Sequence, residues 1–363
     1  MTAMTNSTRL LETFLDLVRI DSPSGDEAKI SEELVARLRH LGLDVQTDAL
    51  HNIVARRQGK GEPLLLMAHM DTVMPGKGIK PVIRDGVVYS DGTTILGADD
   101  KSGIAVILEI LRVLKEEPVD SPPLEVVISV QEETGLFGIK ALDATGLQAR
   151  IGVSFDTGDV PGSIVVSAPS HNVLSAVVHG KAAHAGAEPE NGINAIVIAA
   201  QAVAAMPLGR IDEETTANIG TIQGGRATNI VPDRVELRGE ARSRQEDKLE
   251  AQTAKMVEAL RSAATRQSGS VDIDVQRAYR GYHLTESDTT VARLMAACRK
   301  LGVEPRLVPS GGGSDVNILN ALGKQVVNLS TGMTCVHTLE EHIALSDMVA
   351  CAEIVLEFIR QSN

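Results

Sequence analysis

A chain of 363 residues exceeds what one hydrophobic core usually organises, so two domains are expected. Hydrophobic residues at 43% and charged residues at 23% exclude a disordered chain, and aromatics at 2%, with no Trp, leave little for stacking against nucleic acid bases. Lys and Arg total 35 against 48 Asp and Glu, a formal net charge of -13, which disfavours nucleic acid and anionic membranes as partners.

The opening stretch MTAMTNSTRLLETFLDLVRI carries Glu12 and Asp16 among its apolar residues. A signal peptide needs an uninterrupted apolar segment, so an amphipathic helix and a cytoplasmic protein are expected. Helical spacing recurs at Ile30, Leu34, Leu38 and Leu41, through KSGIAVILEILRVLKEE, and in the C-terminal SDMVACAEIVLEFIRQ. Between these lie PLLLMAHMD, LEVVISVQEE, RIGVSFDTG and KQVVNLSTG, short apolar runs with polar ends. Such runs read as strands buried on both faces of a helix-covered sheet, whose ligand sites form beyond the carboxyl ends of the strands. The most apolar window, AIVIAAQAVAAMPL, is interrupted by Gln201 and is too short to span a bilayer.

From about residue 172 the pattern changes. NVLSAVVHG, TANIGTIQGG, VPDRVELRGEARS and VDIDVQRAY alternate apolar and polar residues, as strands of an antiparallel sheet with one covered face do. Helical stretches at about 192–205 and 246–266 fall between them, and helices alternating with buried strands return after about 284. The expected organisation is an α/β domain at 1–171 and 284–363, interrupted by a smaller α+β domain at 172–283. Cys298, Cys335 and Cys351 form no CxxC pattern, so no disulfide framework is expected and all three are read as buried small hydrophobes.

The polar strand ends carry the chemistry. AHMDTV offers an imidazole, His69, with Asp71 placed to orient it, although the same pair also suits a plain polar strand end. GADDKSG sets Asp99 and Asp100 at the start of a helix, where acids are also ordinary capping residues. Adjacent Glu132 and Glu133 end LEVVISVQEE, and like charges so close need a reason: one can ligate a cation while its neighbour serves as general base. Asp156 follows the next strand, and His337 follows QVVNLS. Together these form a nitrogen and oxygen donor set suited to zinc, cobalt or manganese. With Asp99 bridging, each of two metals would have three protein ligands and an open position, as catalytic centres do. No P-loop, GxGxxG or GxSxG motif competes with this reading.

In this order AHMDTV, GADDKSG, QEETG, FDTGD and CVHT, with the lid segments GKAAHAG and GGRATNIVPDRVELRGEARS and a later GGGSD, resemble the di-zinc exopeptidase family that includes peptidase T, carboxypeptidase G, succinyl-diaminopimelate desuccinylase and aminoacylase. The resemblance spans essentially the whole chain. It implies an α/β fold with a mixed sheet flanked by helices and an inserted α+β lid and dimerisation domain. It implies two divalent ions, zinc first and cobalt or manganese as alternatives: His69, Asp99 and Asp156 on one, Asp99, Glu133 and His337 on the other, with Asp71 orienting His69 and Glu132 as general base acting on a shared water. It further implies that His184 reaches a partner subunit's site in a homodimer and stabilises the oxyanion. Arg242 would hold a substrate carboxylate, and Asn229 and the loop of Gly312, Gly313 and Ser314 would complete substrate binding. An Asp at 156, and the stretch FDTGDVPGSIVVSAPSH, resemble the peptidase T branch, so a tripeptide or dipeptide aminopeptidase is expected. The alternatives are an N-acyl-amino-acid amidohydrolase and a catalytically silent metal- or peptide-binding protein.

Overall fold

The computed structural model describes residues 5–116 and 121–361. The first residues of the expected N-terminal helix and Glu117 of the next long helix lie outside them. The chain divides into two compact units: one runs up to Val166 and resumes over Leu284–Pro309 and from Ser314, the other is Ser167–His283 with Ser310–Gly313. The break at Val166/Ser167 falls inside the strand Ser163–Ala168, a strand that the sequence patterning did not anticipate.

The first unit is built on a sheet in which Asp44–Thr47, Ile53–Arg57, Leu124–Ser129, Leu64–His69, Ile151–Ser154, Gln325–Leu329 and Ser163–Ala168 lie side by side in that order. Leu124–Ser129, Leu64–His69, Ile151–Ser154 and Gln325–Leu329 run parallel. Their flanking neighbours Ile53–Arg57 and Ser163–Ala168 are antiparallel to them. Every residue of Leu64–His69 and of Leu124–Ser129 is buried, as strands covered on both faces must be. The chain leaves Leu64–His69 for the strand on one side and then crosses to Ile151–Ser154 on the other, so strand order reverses around His69. Such reversals open a crevice at the carboxyl ends of the strands.

Helix Ala98–Glu116 lies against Leu64–His69 and packs on the helices Ser7–Val18 and Leu345–Arg360. Ser7–Val18 is capped by Asn6, whose side chain accepts from Arg9 N at 3.0 Å, and it buries Leu10, Phe14, Leu17 and Val18. No helix among the described residues is long and apolar enough to cross a membrane. Cys298 and Cys351 are buried inside helices, but Cys335 is exposed. It sits at φ 53° in the irregular segment before His337, where no core face is available to cover it, which corrects the expectation for that cysteine.

In the second unit Gly209–Arg210, Thr215–Gly224, Arg234–Ser243, Ser170–His179 and Ser270–Tyr279 form an antiparallel sheet in that order. Arg234–Ser243 alternates strictly at its start, with Val235 and Leu237 buried and Arg234, Glu236 and Arg238 exposed. The buried face packs on helices Ala195–Ala205 and Glu246–Arg266 through Leu174, Val178, Ile198, Leu249, Met256 and Leu260.

Asn52 shows how the first unit carries its loops. Fully buried, it accepts from Val130 N at 3.0 Å and donates to Gly138 O at 3.0 Å and to Asp48 Oδ2 at 2.7 Å. It thereby closes the base of the loop that holds Glu132 and Glu133. Asn52→Ala leaves the Val130 N–H without a partner, a loss of about 1–3 kcal/mol for a buried donor. A urea denaturation midpoint unchanged from the parent would show that the loop does not depend on this clamp.

Candidate metal centre

Each sequence-predicted ligand is delivered by the end of a regular element. Leu64–His69 terminates on His69, with Asp71 just beyond, and Leu124–Ser129 leads into Glu132 and Glu133. Ile151–Ser154 leads into Asp156, and Gln325–Leu329 into the segment carrying His337. Asp99 lies at the mouth of helix Ala98–Glu116 with φ -79° and ψ 111°, an extended conformation that turns it out of the helical path.

The arrangement brings all of these together within the first unit. Ligand atoms of His69, Asp99 and Asp156 lie within 4.8 Å of one another, and so do those of Asp99, Glu133 and His337. A third grouping at the same spacing is His69, Glu132 and Glu133. Asp99 belongs to both of the first two sets: its Oδ1 is 3.1 Å from His69 Nε2 and its Oδ2 is 3.2 Å from His337 Nε2. His337 Nε2 is also 2.8 Å from Glu133 Oε1. On the far side of His69, Nδ1 faces Asp71, 3.1 Å from its carbonyl oxygen and 3.3 Å from Oδ1. Asp71 is itself fixed by Glu132 N at 3.0 Å, by Glu133 N at 3.3 Å and by Ser24 Oγ at 2.6 Å, all donating to its carboxylate.

The electrostatics follow from this crowding. Burial would raise the pKa of Asp99, but the two histidines against it outweigh burial and hold it well below the ordinary carboxylate range. His337 is pushed up to about 10 by Asp99 and Glu133. Glu132 is raised by burial and by the charges of Asp315, Glu133 and Asp99, and Asp156 is raised by burial and by Glu132 and Asp99. Nitrogen and oxygen donors converging in two threes around one shared carboxylate fit a pair of borderline divalent cations.

Of the remaining sequence-predicted residues, all but Ser314 belong to the second unit. His184 is exposed in the second unit, its Nδ1 accepting from Gly186 N at 3.2 Å and Ala187 N at 3.0 Å. Asn229 is exposed on the neighbouring segment, where its carbonyl accepts from Ala185 N at 3.0 Å. Arg242 donates from Nε and Nη2 to the two oxygens of Glu240, at 3.1 and 3.0 Å. Beside Arg242 lies Gly312, and a Cβ on Gly313 would meet the Tyr279 ring at 2.3 Å, so only glycine fits there. Ser314 joins a capping box on helix Asp315–Ala321, and its hydroxyl accepts from Asn328 Nδ2 at 3.0 Å.

Sequence reasoning missed a supporting layer. Glu27 accepts from Gly25 N at 2.8 Å and Gln131 N at 3.1 Å, and fully buried Lys101 donates to Ile20 O at 2.7 Å. Asp315, raised to about 7 chiefly by burial, accepts from Ser129 Oγ. Glu341 accepts from three main-chain N–H groups. A lysine directly after two acids at a buried helix start was the one visible signal, since no solvated face explains it.

Comparison with known proteins agrees with this geometry. The model of peptidase family M20/M25/M40 matches residues 65–361. The structure of aminopeptidase PepT from Bacillus cereus is 42% identical, covers 99% of this chain and 100% of its own, and superposes with a TM-score of 0.90. A tripeptidase from Staphylococcus aureus is 40% identical over 99% of both chains, with a TM-score of 0.93. Carboxypeptidase G2 of a Pseudomonas species is 31% identical over 88% of this chain and 80% of its own.

The Glu240 pair sets a pH dependence. His171, 3.1 Å away, and then Arg242 hold the Glu240 carboxyl down to about 2 against burial, from an ordinary 4.5. A depressed folded-state pKa stabilises above the unfolded value and is lost as pH falls through the folded one. Glu240→Gln is therefore expected to lower the urea midpoint above about pH 4.5, the gap to the parent closing as pH falls from there toward about 2. A gap that persists unchanged once pH has fallen to about 2 would refute the pairing.

Proposed function

The chain belongs to peptidase family M20/M25/M40, and from that premise we propose that it is a dinuclear-metal exopeptidase that removes the N-terminal residue from dipeptides and tripeptides. The observation that carries the reading is the double ligand set sharing Asp99 with Glu132 beside it. Similarity at 40–42% identity to an aminopeptidase and a tripeptidase over nearly full length supports the substrate class. His69, Asp99 and Asp156 would hold one ion and Asp99, Glu133 and His337 the other, zinc first, with cobalt or manganese also compatible with these donors. When bound, such ions lower the pKa of water and polarise a scissile carbonyl.

The protein's own groups supply the rest. Glu132 takes a proton from the attacking water and returns it to the leaving amine, and its burial among other acids raises its pKa toward the working range of an acid and base. Asp71 holds His69 by Nδ1 so that Nε2 faces the ligand side. His184 accepts two N–H bonds at Nδ1, which puts its proton on Nε2 as a neutral donor suited to an oxyanion. Arg242 receives the peptide's terminal carboxylate, with Asn229 and the loop of Gly312, Gly313 and Ser314 completing substrate binding. We read the second unit as a lid and as the dimerisation surface of a homodimer, and the cytoplasm as the site of action, consistent with three free cysteines.

The test is amino-acid release from di-, tri- and N-acetylated peptides by the metal-loaded protein. Free peptides should be cleaved and acetylated ones spared. The reverse preference would favour an N-acyl-amino-acid amidohydrolase, a reading that the likeness to carboxypeptidase G2 keeps in view. Glu132→Gln should retain about two metals per chain while losing about 10²–10⁴-fold in turnover. Parent-like turnover would remove Glu132 from its role.

Dimer exchange tests His184. Inactive His184→Ala and Glu132→Gln chains, refolded together, should recover activity, because a mixed dimer holds one site with both residues intact. No recovery from mixed dimers verified by mass spectrometry would place His184 outside the partner's site.

A further inference from the structure

Glu341 is fully buried and lies shortly after His337. Its Oε2 accepts from Leu96 N at 2.7 Å and Gly97 N at 2.9 Å, and its Oε1 accepts from Asp99 N at 3.1 Å. The segment it grips follows no regular path. Gly97 has φ 71°, in the left-handed region that favours glycine, and Asp99 is extended. These buried N–H groups lack a helical or strand partner, and buried donors must be satisfied. A carboxylate with two acceptor oxygens meets three of them at once.

Glu341 is itself held from a fixed frame. Its carbonyl accepts from Ser90 N at 3.2 Å, and its N–H donates to Thr338 O at 3.3 Å. The next residue, His342, starts the strand His342–Ala344, paired antiparallel with Val87–Tyr89, and exchanges main-chain bonds of 2.9 and 3.1 Å with Thr334. One side chain thus ties the segment bearing His337 to the segment bearing Asp99. These are the two groups that face each other at 3.2 Å.

We propose that Glu341 is the positioning residue of the dinuclear centre, setting the backbone of the shared ligand Asp99 and its separation from His337. The inference rests on the dinuclear reading above and goes beyond it, because it names the residue on which both metal sites jointly depend. Glu341 touches neither ligand side chain; it acts through the main chain of Asp99. Buried carboxylates are costly, and an apolar side chain would pack in the same space without that cost. Its presence is explained by the donors it receives. Because Asp99 is shared, a displaced Leu96–Asp99 segment weakens both ions together, whereas loss of Asp156 or Glu133 would weaken one.

The test is zinc titration of the chelator-stripped full chain in competition with a chromophoric chelator. The parent should bind two ions. Glu341→Gln, which replaces one acceptor oxygen by a donor aimed at N–H groups, should lose about 10–100-fold in affinity, as supporting residues of metal ligands typically do, and in both binding events. Glu109→Gln is the control for mere destabilisation. Glu109 is a fully buried carboxylate in the same unit, accepting from Arg9 Nε at 2.7 Å, Arg9 Nη2 at 2.7 Å and Asn6 N at 2.8 Å. It should lower the Tm of the metal-free protein and leave both zinc affinities unchanged. If Glu341→Gln does not fold, Glu341→Asp keeps the charge but draws it back from the segment, and a smaller loss shared by both ions is expected.

Parent-like zinc affinities in either folded variant, or a loss confined to one ion, or a loss matched by Glu109→Gln, would overturn the proposal. A parent that binds fewer than two ions would instead overturn the dinuclear reading, and this inference with it.

Discussion

Asp99 stands between two imidazoles, one carboxylate oxygen toward each, in a space that Glu132, Glu133 and Asp156 also enter. At about 4 Å and an effective dielectric of about 20, a pair of like charges repels by about 4 kcal/mol, so these carboxylates cannot all be ionised without compensation. The chain itself provides two histidines and main-chain N–H groups. Those are too few for the acids present, and several acids respond by holding their protons more tightly. Two divalent cations reverse that balance. The fold gathers more acidic groups than its own donors can balance, and this excess is the constraint around which the first unit is arranged.

Such a concentration must be held by rigid elements, because repulsion would otherwise spread it. The parallel strands Leu64–His69, Leu124–Ser129, Ile151–Ser154 and Gln325–Leu329 end at one edge, and each ending is tied to another. Asp71 gathers the N–H groups of Glu132 and Glu133 while facing His69, so the strand ends that carry these three residues share one anchor. Glu27 adds the N–H of Gln131, and Asn52 that of Val130. In every case a side-chain oxygen satisfies the backbone of a turn that has no strand partner. Polar groups buried in this way fix loop geometry without contributing a ligand atom.

The parts of this design that obey a period were legible in the sequence. Continuous apolar runs gave the buried parallel strands, and alternation gave the antiparallel sheet of the second unit, because burial on two faces or one leaves a direct pattern. The residues that the structure gathers into the two clusters were legible because His, Asp and Glu fell at the ends of those runs. The supporting layer was not. Glu27, Asp315 and Glu341 look like ordinary surface acids in a linear chain, and only the path of distant main-chain N–H groups shows what they hold. Short strands such as Asp44–Thr47 and Val82–Arg84 also escaped, since an edge strand of three or four half-exposed residues carries too few apolar positions to show a period. Cys335 escaped for the opposite reason: a general tendency of cysteine toward burial was applied to a segment with no core to enter.

The second unit does something different: it holds single polar groups in defined orientations. Two main-chain N–H groups donate to His184 Nδ1, and an imidazole that accepts there must carry its proton on Nε2. The exposed Nε2 is then a donor, the orientation that the proposed oxyanion role of His184 requires. Arg242 is treated in a comparable way. Glu240 occupies its Nε and Nη2 edge, and His171 stands against Glu240, so the guanidinium cannot swing freely and its Nη1 side is left toward Gly312. Under the proposed function, a fork already engaged along one edge would meet a carboxylate with its remaining donors and with a charge partly offset by Glu240. Such a grip would be directional and moderate in strength, as release of a product bearing the same carboxylate as its substrate requires.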